Sequence, residues 1–200
     1  MTDTRILVAG SGGQGVLLLG RLIAYCGMLE GKEVTCFPSY GAEVRGGTAN
    51  STVILSDEMI GSPIASNPDI LIAMNEASLR KFQPRIRPQG LLIYDSSLIG
   101  SPEIRSDITA LDVPASIIAG SENGKGSVGK SLSLTETQVR SANMVMLGAL
   151  VGRTGILKAE NAMIALERLT SARRRRTLDE NKEAIRRGIE YIAHKKSNNL

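Results

Sequence analysis

The sequence predicts an α/β fold of three layers, α/β/α, on a mostly parallel, Rossmann-like sheet with a C-terminal helical segment. Three observations carry this. The apolar run Arg5-Ile6-Leu7-Val8-Ala9-Gly10 enters a glycine cluster, and a helix-like stretch follows it. The later runs Asp69–Met74 and Gly90–Tyr94 are continuously apolar, the pattern of strands covered on both faces. From Ala115 onward the pattern turns helical.

Each element has its own signal. Gln14 to Glu30 reads as the first helix, closed by Gly31. Glu33-Val34-Thr35-Cys36-Phe37 is rich in β-formers and is stopped by Pro38, giving a second strand and completing a βαβ unit. Pro38 to Gly47 is loop-like, Thr48 to Leu55 alternates as a strand, and Ser56-Asp57-Glu58 reads as a hairpin-type turn. Asn75 is placed to cap a short helix from Glu76 to Phe82. Ile108 to Val113 reads as one more strand and Ser116 to Ala119 as a very short one. Helices are expected at about 136–152, 159–170 and 179–195, preceded by a polar Gly/Ser/Lys stretch at 121–133. The first helix is apolar on nearly every side, as is the run Met144–Val151. That pattern points to coverage by other chains, with burial under the chain's own tail as the plainer alternative.

Composition narrows the function. Two hundred residues, 42% hydrophobic, suit one core, read here as a single domain over 1–200. No apolar run approaches the roughly 18 uncharged residues of a membrane span, and Met1 to Arg5 lacks a signal-peptide pattern, so a cytoplasmic protein with no membrane partner is expected. Two cysteines, Cys26 and Cys36, and one histidine, His194, cannot assemble an iron–sulfur cluster, an ordinary zinc site or a histidine-based triad. Any redox centre must then sit on another chain. Both cysteines are expected to be reduced core residues. A net charge of +4 suits phosphates or acidic partners, but 3% aromatic residues leave little for base stacking, so no nucleic acid partner is expected.

The chemistry-bearing motif is the turn Gly10-Ser11-Gly12-Gly13-Gln14-Gly15. It satisfies G-x-G-x-x-G between a strand and a helix, where free N–H groups at the positive helix end can meet a phosphate. The plainer reading is that the glycines serve only a tight turn and close helix packing. A dinucleotide fold would put an acid near the end of the second strand to hold ribose hydroxyls, but the strand ends Cys36-Phe37-Pro38-Ser39, which disfavours NAD or FAD. A second motif, Gly124 to Ser131, fits G-x-x-x-x-G-K-S, with Lys130 for phosphates and Ser131 for Mg²⁺. No apolar strand with a terminal Asp follows it, and a flexible Gly/Ser/Lys loop has the same sequence. A P-loop NTPase and a nicotinamide-binding reductase therefore stand as the alternative functions. The run Arg173–Arg176 reads as a solvated helix end or connection, with docking of an acidic partner as the alternative.

Taken together, Gly10–Val16, Pro38-Ser39-Tyr40-Gly41-Ala42-Glu43-Val44-Arg45-Gly46-Gly47 and Ile93–Ser97 resemble the gamma subunit of the 2-oxoacid:ferredoxin oxidoreductases, especially the 2-oxoglutarate type. The stretches Asn143–Gly148 and Asn181–Gly188 look like the family's two C-terminal Asn-bearing motifs. The polar loop 121–133 departs from the family as an apparent insertion. The resemblance implies a multi-subunit enzyme that decarboxylates a 2-oxoacid on thiamine diphosphate, reduces ferredoxin through iron–sulfur clusters and releases acyl-CoA. It places thiamine diphosphate and the clusters on partner subunits, namely alpha, beta and, as a further candidate, delta. This chain would be an accessory, non-catalytic subunit that helps bind coenzyme A.

The expected coenzyme A contacts are Gly10, Ser11, Gly12, Gly13, Gln14, Gly15, Ser39, Tyr40, Glu43, Arg45, Gly46 and Gly47. Arg45, set between Val44 and Gly46-Gly47, is the first candidate cation, since the glycines beside it let backbone approach a ligand closely; an internal Glu43–Arg45 brace at a subunit contact is the alternative. Ser39 and Tyr40 would add hydrogen bonds or simply hold the loop. Asp95 and Ser96 lie where a parallel sheet usually places ligand groups, although helix capping is their commoner role.

Overall fold

A computed structural model describes residues 3–39, 48–120 and 141–197 of the chain. Its frame is a mixed sheet of six strands: β1 Thr4–Gly10, β2 Glu33–Ser39, β3 Ala49–Ser56, β4 Ile70–Ala73, β5 Leu91–Asp95 and β6 Thr109–Val113, in the order β2-β3-β1-β4-β5-β6. The pairs β1–β4, β4–β5 and β5–β6 are parallel, whereas β3 is antiparallel to both of its neighbours. Thus β3 alone opposes the common direction, and the mostly parallel sheet is present.

The first connection differs from the expected βαβ unit. Strand β2 runs the same way as β1 but does not pair with it, because β3 inserts between them with Gly10 opposite Ala49 and Ser39 opposite Asn50. The residues after β3 do not make a hairpin turn either: the chain crosses β1 to reach β4, and Lys32 pins Asp57 with a 2.7 Å ion pair. The run at Ser116 belongs to helix α3, Ala115–Gly120, not to a strand. Its start is held from β5: the Asp95 carboxylate accepts from Ser116 Oγ at 2.6 Å, and Ser97 Oγ accepts from the Ile117 amide. Asp95 and Ser97 are therefore capping groups here.

The two faces of the sheet read directly from the alternation of side chains. Ile6, Val8, Val53, Leu55, Ile72 and Ile93 join one core with four helices: α1 Val16–Leu29, α4 Ala142–Thr154, α5 Ala159–Leu169 and α6 Leu178–Ser197. Leu7, Ala9, Leu71, Ala73 and Leu92 point the other way, onto Leu79 and Phe82 of the short helix α2, Glu76–Phe82. Asn75 caps α2 as its sequence predicts, accepting from the Ser78 amide at 2.8 Å. Among the described residues no helix is long and apolar enough to cross a membrane.

The apolar helices are covered by the chain's own tail, the plainer of the two expectations. On α1, Gly20 and Gly27 lie against Ser51 and Leu55 of β3, while α5 packs across another side of the helix. Its C-terminal end stays open, with Met28 61% exposed, Arg21 is exposed in mid-helix, and Leu17, Leu18 and Tyr25 are half-buried. Helix α4 is buried from Ala142 to Val151 and packs mainly against α6, where Gly148 and Gly188 let the two backbones touch. Glu30, just beyond α1, fixes α5: its Oε1 accepts from the Lys158 amide at 2.8 Å and from Asn161 Nδ2 at 2.7 Å. Burial opposes that charge, but the two hydrogen bonds and the lysines nearby hold the Glu30 carboxyl below its ordinary range.

Candidate functional site

In a mainly parallel sheet, ligands gather outside the carboxyl ends of the strands. Here that edge collects the end of β1 at Gly10, the end of β2 at Ser39, the end of β4 at Ala73 and the start of β3 at Ala49. The glycine turn stands on this edge. Ser11, Gly12 and Gly13 are exposed, while Gln14 is 8% exposed and turned inward.

The turn is held by side-chain amides. Gln14 Oε1 accepts from the Ser11 amide at 2.7 Å and from Asn75 Nδ2 at 3.2 Å, while its Nε2 donates to the Met74 carbonyl at 2.8 Å. Asn75 Nδ2 also donates to Ser11 Oγ. Gln14, expected as a ligand contact, is thus committed to holding the turn. Gly15 adopts φ 72°, the left-handed conformation that favours glycine, and its carbonyl starts α1 by accepting from the Leu19 amide at 2.9 Å. The amides of Val16, Leu17 and Leu18 therefore precede the first helical bond, as the leading N–H groups of any helix do. No acidic side chain occupies this first turn, so the positive end of the helix is left for an anion.

Two hollows flank the turn. The outer groove, about 300 Å³, is lined by Ser11, Gly12, Leu17, Ser39 and Ala49 among others. Ser39 and Ala49 closely bracket the segment 40–47, so that part of the sequence leaves and rejoins the sheet beside the turn. The expected contacts Tyr40, Glu43, Arg45, Gly46 and Gly47 lie outside the described residues, as do Lys130 and Ser131. The inner cavity, about 540 Å³, lies where α1, α4 and α6 begin, with Gly13, Gly15, Asn143 and Asn181 in its wall.

The site residues missed from the sequence are these two asparagines. Asn143 Nδ2 donates to the Gly15 carbonyl at 3.3 Å, and Asn181 Oδ1 accepts from Ser141 Oγ at 3.1 Å. Their motifs were visible, but nothing local says that Asn143 folds back on a turn 128 residues away or that Asn181 meets Ser141, 40 residues before it.

Cys26 lacks the chemistry of a reactive thiol, whereas Cys36, expected in the core, is only partly buried on β2. Cys26 is fully buried, and burial first, then the Glu30 charge, pushes its thiol up to about 12. Cys36 Sγ lies 3.7 Å from Ser51 Oγ. Among the described residues no cluster of three or more His, Cys, Asp or Glu side chains could hold a metal ion.

The fold and site define an α/β domain that presents a glycine-lined helix start, backed by a helical tail, at the carboxyl edge of its sheet. The sequence pattern of the pyruvate ferredoxin/flavodoxin oxidoreductase family matches residues 5–191. The chain belongs to that family, and its resemblance is to the gamma subunits. It is 34% identical over 191 residues to the ketoisovalerate oxidoreductase subunit VorA of Methanothermobacter marburgensis, covering 94% of this chain but 36% of that one. It is 31% identical over 194 residues to the 2-oxoglutarate synthase subunit KorC of Archaeoglobus fulgidus, covering 94% of this chain and 87% of that one. The chain therefore spans about a third of its longer relative.

Two solved structures share the architecture at 26% identity. The gamma subunit of a keto/oxoacid ferredoxin oxidoreductase from Geobacter sulfurreducens aligns with a TM-score of 0.76 over 96% of this chain and 99% of that one. The 2-oxoglutarate:ferredoxin oxidoreductase of Magnetococcus marinus, solved with 2-oxoglutarate, coenzyme A and succinyl-CoA bound, aligns with a TM-score of 0.80 over 98% of this chain and 32% of that one.

Proposed function

We propose that this chain is an accessory subunit of a cytoplasmic 2-oxoacid:ferredoxin oxidoreductase, in which it contributes to coenzyme A binding and to assembly. Its partners are the alpha and beta subunits, with delta as a further candidate, and ferredoxin meets the complex rather than this chain. The oxoacid favoured is 2-oxoglutarate, which the names of KorC and of the Magnetococcus marinus enzyme carry; pyruvate is next.

One observation carries the coenzyme A reading: the glycine turn, both ends of the 40–47 segment and the two Asn-bearing helix starts gather at one sheet edge. Coenzyme A bears a pyrophosphate and a 3′-phosphate, which suit exposed amides at a positive helix end. Strand β2 ends on Ser39 and carries its carboxylate, Glu33, at the opposite end, so the ribose-holding acid of a dinucleotide site is missing there. The outer groove is the phosphate position, with Ser11, Gly12, Gly13 and Ser39 as contacts and Gly10, Gln14 and Gly15 shaping the turn. Arg45, with Glu43, Tyr40, Gly46 and Gly47, is assigned to the same ligand as its cationic strap.

The chain's inventory of two cysteines and one histidine does not fit an iron–sulfur cluster, and the sequence contains no G-D-G…N thiamine diphosphate motif. Both groups belong, in this reading, to the partner subunits. Purification under native conditions from the source cell tests the assignment. The chain is expected to elute with partners that contain thiamine diphosphate and iron–sulfur clusters. Recovery of a stable particle lacking both would contradict it.

A further inference from the structure

The hydrogen bonds that hold the glycine turn can run in one direction only, and two backbone groups set it. At one end, the Met74 amide is spent on the Ala9 carbonyl, and the Met74 carbonyl accepts from Gln14 Nε2 at 2.8 Å. Gln14 Oε1 therefore faces the turn, where the Ser11 amide at 2.7 Å and Asn75 Nδ2 at 3.2 Å fill its two lone pairs. At the other end, the Ser78 amide donates to Asn75 Oδ1 at 2.8 Å. Asn75 Nδ2 is thus the donor on the turn side, with one hydrogen for Gln14 Oε1 and one for Ser11 Oγ. Turning Gln14 over would set acceptor against acceptor at Met74, and turning Asn75 over would set donor against donor at Ser78.

The consequence falls on Ser11. Its backbone N–H is consumed inside the turn and its hydroxyl oxygen already accepts, so the group it has left to donate is the hydroxyl proton. Among the described residues no acceptor takes that proton, and Ser11 is exposed on the wall of the outer groove. A hydroxyl held from behind by a donor presents its proton outward, the polarity that an anionic oxygen requires.

We propose that Asn75 is a positioning residue for the phosphate site: through Nδ2 it fixes Ser11 Oγ as an acceptor and so directs the Ser11 hydroxyl as a donor to a phosphate oxygen of coenzyme A. The proposal rests on the coenzyme A reading above and deepens it, because the contact at Ser11 becomes the side chain and not the amide. It also ties the phosphate-facing turn to helix α2, whose N-cap is the same Asn75.

Steady-state kinetics of the assembled oxidoreductase tests this with Ser11→Ala, Ser11→Thr, Asn75→Ser and the Ser11→Ala/Asn75→Ser double variant beside the parent. Ser11→Ala removes the hydroxyl and leaves the amide bond to Gln14. Asn75→Ser keeps a good α2 cap, so its thermal melt is expected close to the parent's, but it has no Nδ2 to give Ser11. Ser11→Ala is expected to raise KM for coenzyme A about tenfold or more, the size of one hydrogen bond to a charged group, and Ser11→Thr to bring it back to within about threefold of the parent. Asn75→Ser is expected to raise that KM about threefold or more in the parent background and by less than about twofold once Ser11 is alanine, because the two residues act as one unit. With 3′-dephospho-coenzyme A as substrate, Ser11→Ala keeps its effect if the hydroxyl meets the pyrophosphate and loses it if the hydroxyl meets the 3′-phosphate.

A KM for coenzyme A within about twofold of the parent in Ser11→Ala would overturn the hydroxyl contact, as would a Ser11→Thr complex as impaired as Ser11→Ala. An Asn75→Ser complex with the parent's KM, or effects of Ser11→Ala and Asn75→Ser that multiply in the double variant, would overturn the positioning role and leave Asn75 a cap and a brace. Gly12→Asp separates these results from the wider reading. If it raises KM for coenzyme A while the Ser11 and Asn75 variants do not, the positioning role fails and the wider reading stands. If none of them moves that KM, the wider reading itself fails.

Discussion

Replacing Gly188 by alanine puts a single methyl group where helices α4 and α6 have no room for it. A Cβ at Gly188 would lie 2.2 Å from the Val145 carbonyl oxygen and 3.0 Å from the Ala149 nitrogen; across the same contact, a Cβ at Gly148 would lie 2.1 Å from the Ile185 carbonyl oxygen. An ordinary carbon–oxygen approach is ~3.3 Å, so the helices must part by about 1 Å locally. The surroundings cannot absorb this easily, since Val145, Met146, Leu147, Ala149 and Leu150 are all 0% exposed. Overpacking of this kind costs about 1–3 kcal/mol or more, while alanine's helix preference over glycine returns about 1 kcal/mol. The hard backbone contact puts the loss at the upper end, and a net destabilisation of about 2 kcal/mol follows, or roughly 4–8 °C in Tm for a chain of this size. Thermal unfolding followed by circular dichroism reads it. Were the helices not in backbone contact, the propensity term would dominate and Tm would rise; an increase would refute the crossing.

Three other outcomes follow from the same packing. Glu30→Gln keeps an acceptor for the Lys158 amide but removes the charge, so it should destabilise the chain by about 0.5–1 kcal/mol at pH 7. Because the folded-state pKa of Glu30 is depressed, its contribution is complete above the ordinary glutamate value of 4.5 and is lost as pH falls through the folded value. Urea unfolding of parent and variant should therefore converge in acid, and a constant difference down to pH 3 would contradict this. Asn75→Ala removes the α2 cap along with the bonds to Ser11 and Gln14, with an expected loss of about 1–2 kcal/mol in denaturant unfolding. In the native chain at pH 8, alkylation followed by mass spectrometry should modify Cys36 well before Cys26, whose thiol is buried and pushed up to about 12 by that burial; equal rates would show that the α1 core is open.

Local pattern revealed the elements and concealed their neighbours. Strands β1, β4 and β5 and the cap at Asn75 each depend on a few consecutive residues, and each was legible. The insertion of β3 between β1 and β2 was not, because strand pairing is a long-range choice that alternation within Thr48–Leu55 does not encode. The Ser116–Ala119 run shows the ambiguity of four apolar-leaning residues: it becomes helical with Asp95 and Ser97, about twenty positions earlier, bonding to its first residues. The same holds at the site. The glycine turn and its helix were readable, but the inward orientation of Gln14 depends on Met74 and Asn75, and the role of Asn143 depends on Gly15. Coverage of α1 and α4 by the chain's own tail is likewise a property of the fold, since an apolar helix looks alike whether its cover comes from the same chain or another.

In the function proposed above, the glycine turn faces a phosphate of coenzyme A. Gly12 is exposed and is not among the positive-φ glycines, so aspartate can be placed there without backbone strain. In the assembled oxidoreductase, Gly12→Asp is expected to raise KM for coenzyme A by about tenfold or more through repulsion at the helix start, with KM for the 2-oxoacid unchanged. An unaltered KM for coenzyme A in a complex that assembles normally would contradict the account.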